Sequence, residues 1–138
     1  MQIREISLQE LDSAFELVRH LRTNLDYDTF EDRVYAMRHQ EYTMTGIFEQ
    51  GELVCFAGYS VLVNLAHGRH LFLFDLITHP QMRSRGYGKE MLLYLRDQGK
   101  IKQCERIVLS SGWQRKDAHR FYEKEGFEST GALFVAPL

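Results

Sequence analysis

Residues 75–127 read DLITHPQMRSRGYGKEMLLYLRDQGKIKQCERIVLSSGWQRKDAHRFYEKEGF, and the order of patterns in this stretch decides the fold. An apolar run ends at Thr78-His79-Pro80, and Arg83-Ser84-Arg85-Gly86-Tyr87-Gly88 then opens a helix over about 88–98, with Met91, Leu92 and Leu95 facing inward and Gly99 at its end. Ile107 and Val108 mark a buried strand over 106–110, and 116–125 reads as a last helix stopped by Gly126. A strand, a crossover helix and a second strand imply parallel pairing. The first turn of the crossover helix has unpaired N–H groups and the positive end of the helix dipole. Gly86 and Gly88 let the backbone approach a phosphate closely, and Arg83, Arg85 and Lys89 add positive charge. A phosphorylated ligand is expected there.

Upstream, 2–6 alternates apolar and polar as a first strand does, and Ser7-Leu8-Gln9-Glu10 has the form of a capping box. The helix after it carries an apolar stripe of Leu11, Ala14, Phe15, Val18 and Leu21. A second helix, capped around Asp28-Thr29-Phe30-Glu31 and running to about Arg38, turns Phe30, Val34 and Met37 inward. β-rich runs at 42–49 and 53–65, joined by Gln50-Gly51-Glu52, make a hairpin, and a third strand at 70–78 continues the meander. Residues 127–130 and 132–135 read as a closing β segment.

The chain has 138 residues and a net charge of −2, which fits one domain, 1–138, and gives no bulk reason to bind nucleic acid or an anionic membrane. Cys55 and Cys104 have no metal-ligand spacing; Cys55 belongs in the core and a reduced compartment suffices for both. No run approaches the roughly 18 apolar residues of a membrane span, and the start has no leader-like apolar segment, so a cytoplasmic location is expected. No His, Cys or carboxylate grouping has metal spacing, so no metal is expected.

Residues 83–88 fit Arg/Gln-x-x-Gly-x-Gly/Ala, and Ala118-x-x-Phe121-Tyr122-x-x-x-Gly126-Phe127 follows. The two motifs together resemble the signatures of the GNAT superfamily of acyl-CoA-dependent N-acetyltransferases. The resemblance implies an α+β (mixed α/β) GNAT-like fold, a mostly antiparallel mixed sheet with a central parallel strand pair flanked by about four helices. It implies acetyl-CoA as acyl donor, with Leu76, Ile77 and Thr78 along the pantetheine arm. Arg83, Ser84, Arg85, Gly86, Tyr87, Gly88 and Lys89 then surround the pyrophosphate, and Ala118 and Phe121 lie in the second coenzyme-binding signature. Many members have Asn where this chain has Arg115, which leaves one coenzyme contact open.

Acyl transfer to an amine needs a neutral amine, an oxyanion donor and a proton for the departing thiolate. By resemblance, Tyr122 is the acid near the sulfur and the Ile77 N–H, freed by a bulge, is the oxyanion donor; packing on the sheet is the less favoured reading of Tyr122. Asp75 interrupts an apolar run. It either serves the amine or pairs with Arg69 or a helix arginine. Asp26 and Asp28 flank Tyr27 in a connection that often borders the acceptor in this superfamily; they suit a cationic amine, or they cap a helix. His39, His67 and His70 read as surface or loop, and His79 sets the entry to the phosphate loop. No nucleophilic set is apparent, which fits direct transfer in a ternary complex. The acceptor is a small-molecule or protein amine. A catalytically inactive coenzyme-binding sensor or partner-binding module is the alternative, and a homodimer paired through the final β segment is left open.

Overall fold

The computed structural model describes residues 1–138. Five strands form one sheet in the order β1-β2-β3-β4-β5: Gln2–Glu5, Thr43–Glu49, Glu52–Asn64, Gly68–Thr78 and Arg106–Leu109. The first four pair antiparallel. The fifth starts beside the start of β4, where the Glu105 N–H donates to the Arg69 carbonyl at 2.7 Å, and runs parallel to it. Four helices accompany the sheet: α1 Leu11–Val18, α2 Tyr27–Met37, α3 Tyr87–Ile101 and α4 Lys116–Lys124. This is the mixed, mostly antiparallel sheet with one parallel pair that the sequence implies.

The chain divides into two units, Met1–Val108 and Leu109–Leu138. In the first, alternation along β3 and β4 sends side chains to both faces. Phe56 and Ile77 join Met44 and Phe48 under Leu11, Ala14, Leu17 and Val18 of α1 and Phe30 and Val34 of α2. Cys55, Ala57, Leu71 and Leu73 point the other way and are buried, as are Met91, Leu92 and Leu95 of α3, which packs on β3 and β4. Truncating a buried leucine such as Leu17 or Leu95 costs roughly 2–5 kcal/mol, so both faces matter to stability.

Local signals account for most boundaries. The Ser7–Glu10 capping box forms, with a 3-10 turn at Leu8–Glu10 leading into α1. Gln50 and Gly51 both have positive φ, 51° and 82°, the two-residue hairpin turn that matches strand twist. The cap of α2 is Asp26, not Asp28: its carboxylate accepts from the Thr29 N–H at 2.8 Å. Asp28 stands in the first turn. Gly99 does not end α3, which continues to Ile101; the glycine is buried inside the helix and its carbonyl accepts from the Cys104 N–H at 2.8 Å.

Three expectations need correction. His70 is buried at 1% exposure, its Nδ1 2.9 Å from the Gly68 carbonyl, because β4 starts two residues earlier than the pattern suggests. Ile107 and Val108 are half-buried. No closing β segment forms: residues 127–138 have no regular structure, and Leu133, Phe134 and Val135 are exposed at 72%, 92% and 86%. A strand exists only against a ladder partner, and this segment has none. No helix is long and apolar enough to cross a membrane.

Candidate active site

β4 delivers the chain to the glycine-rich loop. After Thr78, His79 Nδ1 accepts from the Gln81 N–H at 3.1 Å and starts the short turn Pro80–Met82. This fixes the direction of entry, as expected for His79. Ser84 and Gly86 then take positive φ, 64° and 86°. For Ser84 that is a sparsely populated region, of the kind found where a loop is shaped for a ligand. Gly86 leads directly into α3, whose first helical bond runs from the Glu90 N–H to the Gly86 carbonyl.

No side chain caps α3, so the amides of its first turn, Tyr87, Gly88 and Lys89, have no acceptor within the helix. A Cβ built on Gly86 meets nothing within 4 Å, so open space lies beside this backbone. Arg83, Arg85 and Lys89 are exposed and none takes part in an ion pair. The Tyr87 ring turns back to the β2–β3 hairpin, where burial and the Glu49 carboxylate push its hydroxyl pKa up. Its backbone N–H, rather than its side chain, is left at the open start of the helix. These residues fit a pyrophosphate.

Strand lengths expose the backbone just upstream. β5 has four residues and begins level with the start of β4, which has eleven. β4 therefore outruns its parallel neighbour, and one backbone edge of Leu76, Ile77 and Thr78 has no strand beside it. A ligand arm can bond there as a short strand does. The bulge expected to free Ile77 lies elsewhere: Phe74 is the extra residue, between the pairs Gly58–Asp75 and Tyr59–Leu73, while Ile77 stays in register with Phe56.

That bulge organises Asp75. Its side chain is 18% exposed, and Oδ1 accepts from Arg22 Nε at 2.7 Å. Arg22 also donates from Nη2 to the Phe74 carbonyl at 3.1 Å. Asp75 thus pairs with an arginine that follows α1; Arg69 instead donates to the Lys102 carbonyl. Across the ladder, Gly58 leaves room for the Tyr42 hydroxyl, which occupies the place of a Cβ. Burial, and then the Asp75 charge, push the Tyr42 pKa up, so its hydroxyl stays protonated. Neither Tyr42 nor Gly58 carries a local signal for this role, since both act through a long-range contact.

Asp26 and Tyr27 line a cavity of about 510 Å³ with Phe15, Arg19, His20, Thr23 and Leu25. The Thr29 amide holds Asp26 below the usual carboxylate range, and burial followed by Asp12 and Glu31 pushes Tyr27 up to about 12. The His20 ring lies 6.2 Å from that of His79, so this cavity adjoins the entry to the glycine-rich loop.

In the second unit, Arg115 stands at the N-cap of α4 and is exposed. Ala118 and Tyr122 follow at helical spacing on one face and are half-buried, as is Phe121. The Tyr122 ring packs against Phe121 and Phe127, centroids 5.3 and 5.6 Å away, and Gly126 ends the helix with φ 93°. His119 Nε2 lies 3.1 Å from the Ser111 carbonyl, and Trp113 stacks near the His119 ring while remaining exposed.

A mixed sheet thus feeds an uncapped, glycine-rich helix start beside an open strand edge. The acetyltransferase (GNAT) family matches residues 6–127, and the chain belongs to that family and is an enzyme of it. It is 36% identical over 134 residues to an uncharacterized N-acetyltransferase, YhdJ, of Bacillus subtilis, covering 96% of this chain and 94% of that protein. It is 27% identical to an aminoalkylphosphonate N-acetyltransferase of Salmonella typhimurium, covering 99% and 91%. Among solved structures, an aminoglycoside N-acetyltransferase in complex with CoA superimposes with a TM-score of 0.86 at 18% identity, covering 99% of this chain and 93% of that one. At that identity the likeness speaks for the fold.

Proposed function

We propose that the protein transfers an acetyl group from acetyl-CoA to a primary amine of a small molecule, directly, within a ternary complex. The observation that carries this reading is the uncapped start of α3, with Gly86 in the left-handed region and open space beside it, at the end of the strand that holds Asp75. Acetyl-CoA supplies the activated thioester.

The amides of Gly86 to Lys89, with Arg83, Ser84 and Arg85, hold the pyrophosphate, and Leu76, Ile77 and Thr78 align the arm along the free edge of β4. Arg115, Ala118 and Phe121 contribute the second coenzyme signature. The amine nitrogen attacks the thioester carbon, forming the C–N bond and breaking the C–S bond. Because Ile77 stays paired with Phe56, its N–H is held by the β3 ladder; the amides on the free edge of β4, those of Leu76 and Thr78, stabilise the charge that develops on oxygen. Arg22 occupies Asp75 Oδ1, which leaves Oδ2 to receive the proton that the amine loses, directly or through water. Tyr122 returns a proton to the sulfur.

The acceptor enters past Asp26 and Tyr27. A small molecule is supported by relatives named for aminoalkylphosphonate and glucosamine 6-phosphate as substrates. The test is thiol release from acetyl-CoA in the presence of a panel of amines, with the product mass measured. An added acetyl group on an amine supports the reading; thioester hydrolysis alone, with every amine unchanged, overturns it.

A further inference from the structure

The cavity beside α1 and α2 carries both signs of charge. Its lining comes from two segments: Arg19, His20 and Thr23 from the end of α1 and the turn after it, and Asp26 and Tyr27 from the start of α2. Phe15 and Tyr27 form an edge-to-face apolar floor, centroids 5.7 Å apart. The N-terminus of α2 is not an open anion seat, because the Asp26 carboxylate already caps it. Arg19 has only Glu16 as an ion-pair partner, at 3.6 Å, and is 54% exposed. Its guanidinium is therefore available to a ligand.

We infer that the acceptor is a zwitterion, a primary amine that also carries a phosphonate or phosphate-monoester group, and that Arg19, His20 and Thr23 hold its anionic end. This rests on the acetyltransferase reading and narrows its substrate. A polycation would meet Arg19 in the cleft, and a simple anion would meet Asp26; a zwitterion satisfies both charges. A guanidinium, an imidazole and a hydroxyl in one lining supply donors enough for the three oxygens of a tetrahedral oxyanion, more than the two of a carboxylate need. Position supplies the other half of the argument. Arg22 follows Arg19 by one helical turn, its N–H donating to the Val18 carbonyl at 2.8 Å, and reaches Asp75. An anion at Arg19 thus sits one turn from the arginine that orients the carboxylate facing the amine. The cavity, about 510 Å³, is of small-metabolite size.

The experiment compares matched acceptors: aminoethylphosphonate and phosphoethanolamine, ethanolamine as the uncharged-tail control, and a linear polyamine. Initial rates of thiol release give KM and kcat for each, with the wild type and with Arg19→Ala and His20→Ala. The expected result is a lower KM for the two phosphorus-bearing amines. Each substitution then raises that KM about 10-fold relative to the ethanolamine value, the loss of one charge-assisted hydrogen bond. Equal KM values across the panel, or preference for the polyamine, overturn the inference while leaving acetyl transfer intact. If no amine reacts, calorimetric titration of aminoethylphosphonate into the CoA-loaded protein decides: binding weakened by Arg19→Ala supports the inference, and no binding overturns it. Failure of acetyl-CoA itself to bind overturns the acetyltransferase reading, which separates the two.

Discussion

Arg22 and Asp75, 53 residues apart in sequence, are joined by a 2.7 Å hydrogen bond between Nε and Oδ1 at the bulge of β4. The pair ties the turn after α1 to the strand that leads into the glycine-rich loop. Arg22 is half exposed, so solvent screens the pair and its contribution to stability is about 1 kcal/mol or less. In the proposed mechanism its contribution to turnover is larger, since it leaves Oδ2 of Asp75 to face the amine. Arg22→Ala and Asp75→Asn are expected to lower kcat by a similar factor, and the double variant by little more than either. Additive losses in the kinetic cycle contradict a shared role.

The N-terminal capping box gives a pH signature. Arg4, donating to both Glu10 oxygens at 3.0 and 2.9 Å, and then the Ser7 N–H at 2.9 Å lower the Glu10 pKa to about 2. A carboxyl depressed in the folded state stabilises the fold above its unfolded pKa and loses that contribution as pH falls toward the folded one. The stability difference between wild type and Glu10→Gln, about 1 kcal/mol, is expected to be constant above pH of about 5 and to vanish as pH approaches about 2. Chemical denaturation at several pH values measures it; a difference that grows on acidification has the wrong sign.

Gly58 is required by space. A Cβ there lands on the Tyr42 hydroxyl, with the ring carbon Cζ at 2.8 Å, and the Tyr42 ring is packed against Phe74. Gly58→Ala is expected to destabilise by about 1–3 kcal/mol, as overpacking does. Adding Tyr42→Phe restores part of that loss, because the hydroxyl clash disappears and the Cζ clash does not. Urea midpoints of the single and double variants give the answer.

Tyr122 offers a split between binding and chemistry. Tyr122→Phe keeps the ring that packs on Phe121 and Phe127 and removes the proton donor. A kcat reduced by about 100-fold, with unchanged affinity for acetyl-CoA, is expected of a general acid. Turnover at the wild-type rate assigns the ring to packing alone.

Elements with local chemical signals were legible in the sequence: the Ser7–Glu10 box, the Gln50-Gly51 turn, the glycine-rich start of α3 and the Gly126 stop are each encoded within a few residues. Choices between neighbouring candidates were not. Asp26 and Asp28 are both good caps, and only the fold selects Asp26; Gly99 looks like a stop signal but is tolerated inside α3, where it lies buried. Long-range pairings left no trace that spacing can carry. Arg22 carries no local signal until β4 brings Asp75 to it, and Tyr42 reads only as the start of a β-rich run until Gly58 makes room. The closing β segment has the residues of a strand without the partner that makes one.

The most direct test of the central claim is calorimetric titration of acetyl-CoA into the wild type and into Gly86→Asn. Asparagine tolerates the 86° φ better than other residues, so the variant folds with a cost of about 1 kcal/mol, while its side chain fills the open space beside the helix start. The account expects micromolar affinity in the wild type and a loss of at least about 10-fold in the variant. No binding by the wild type, or equal binding by both, contradicts it.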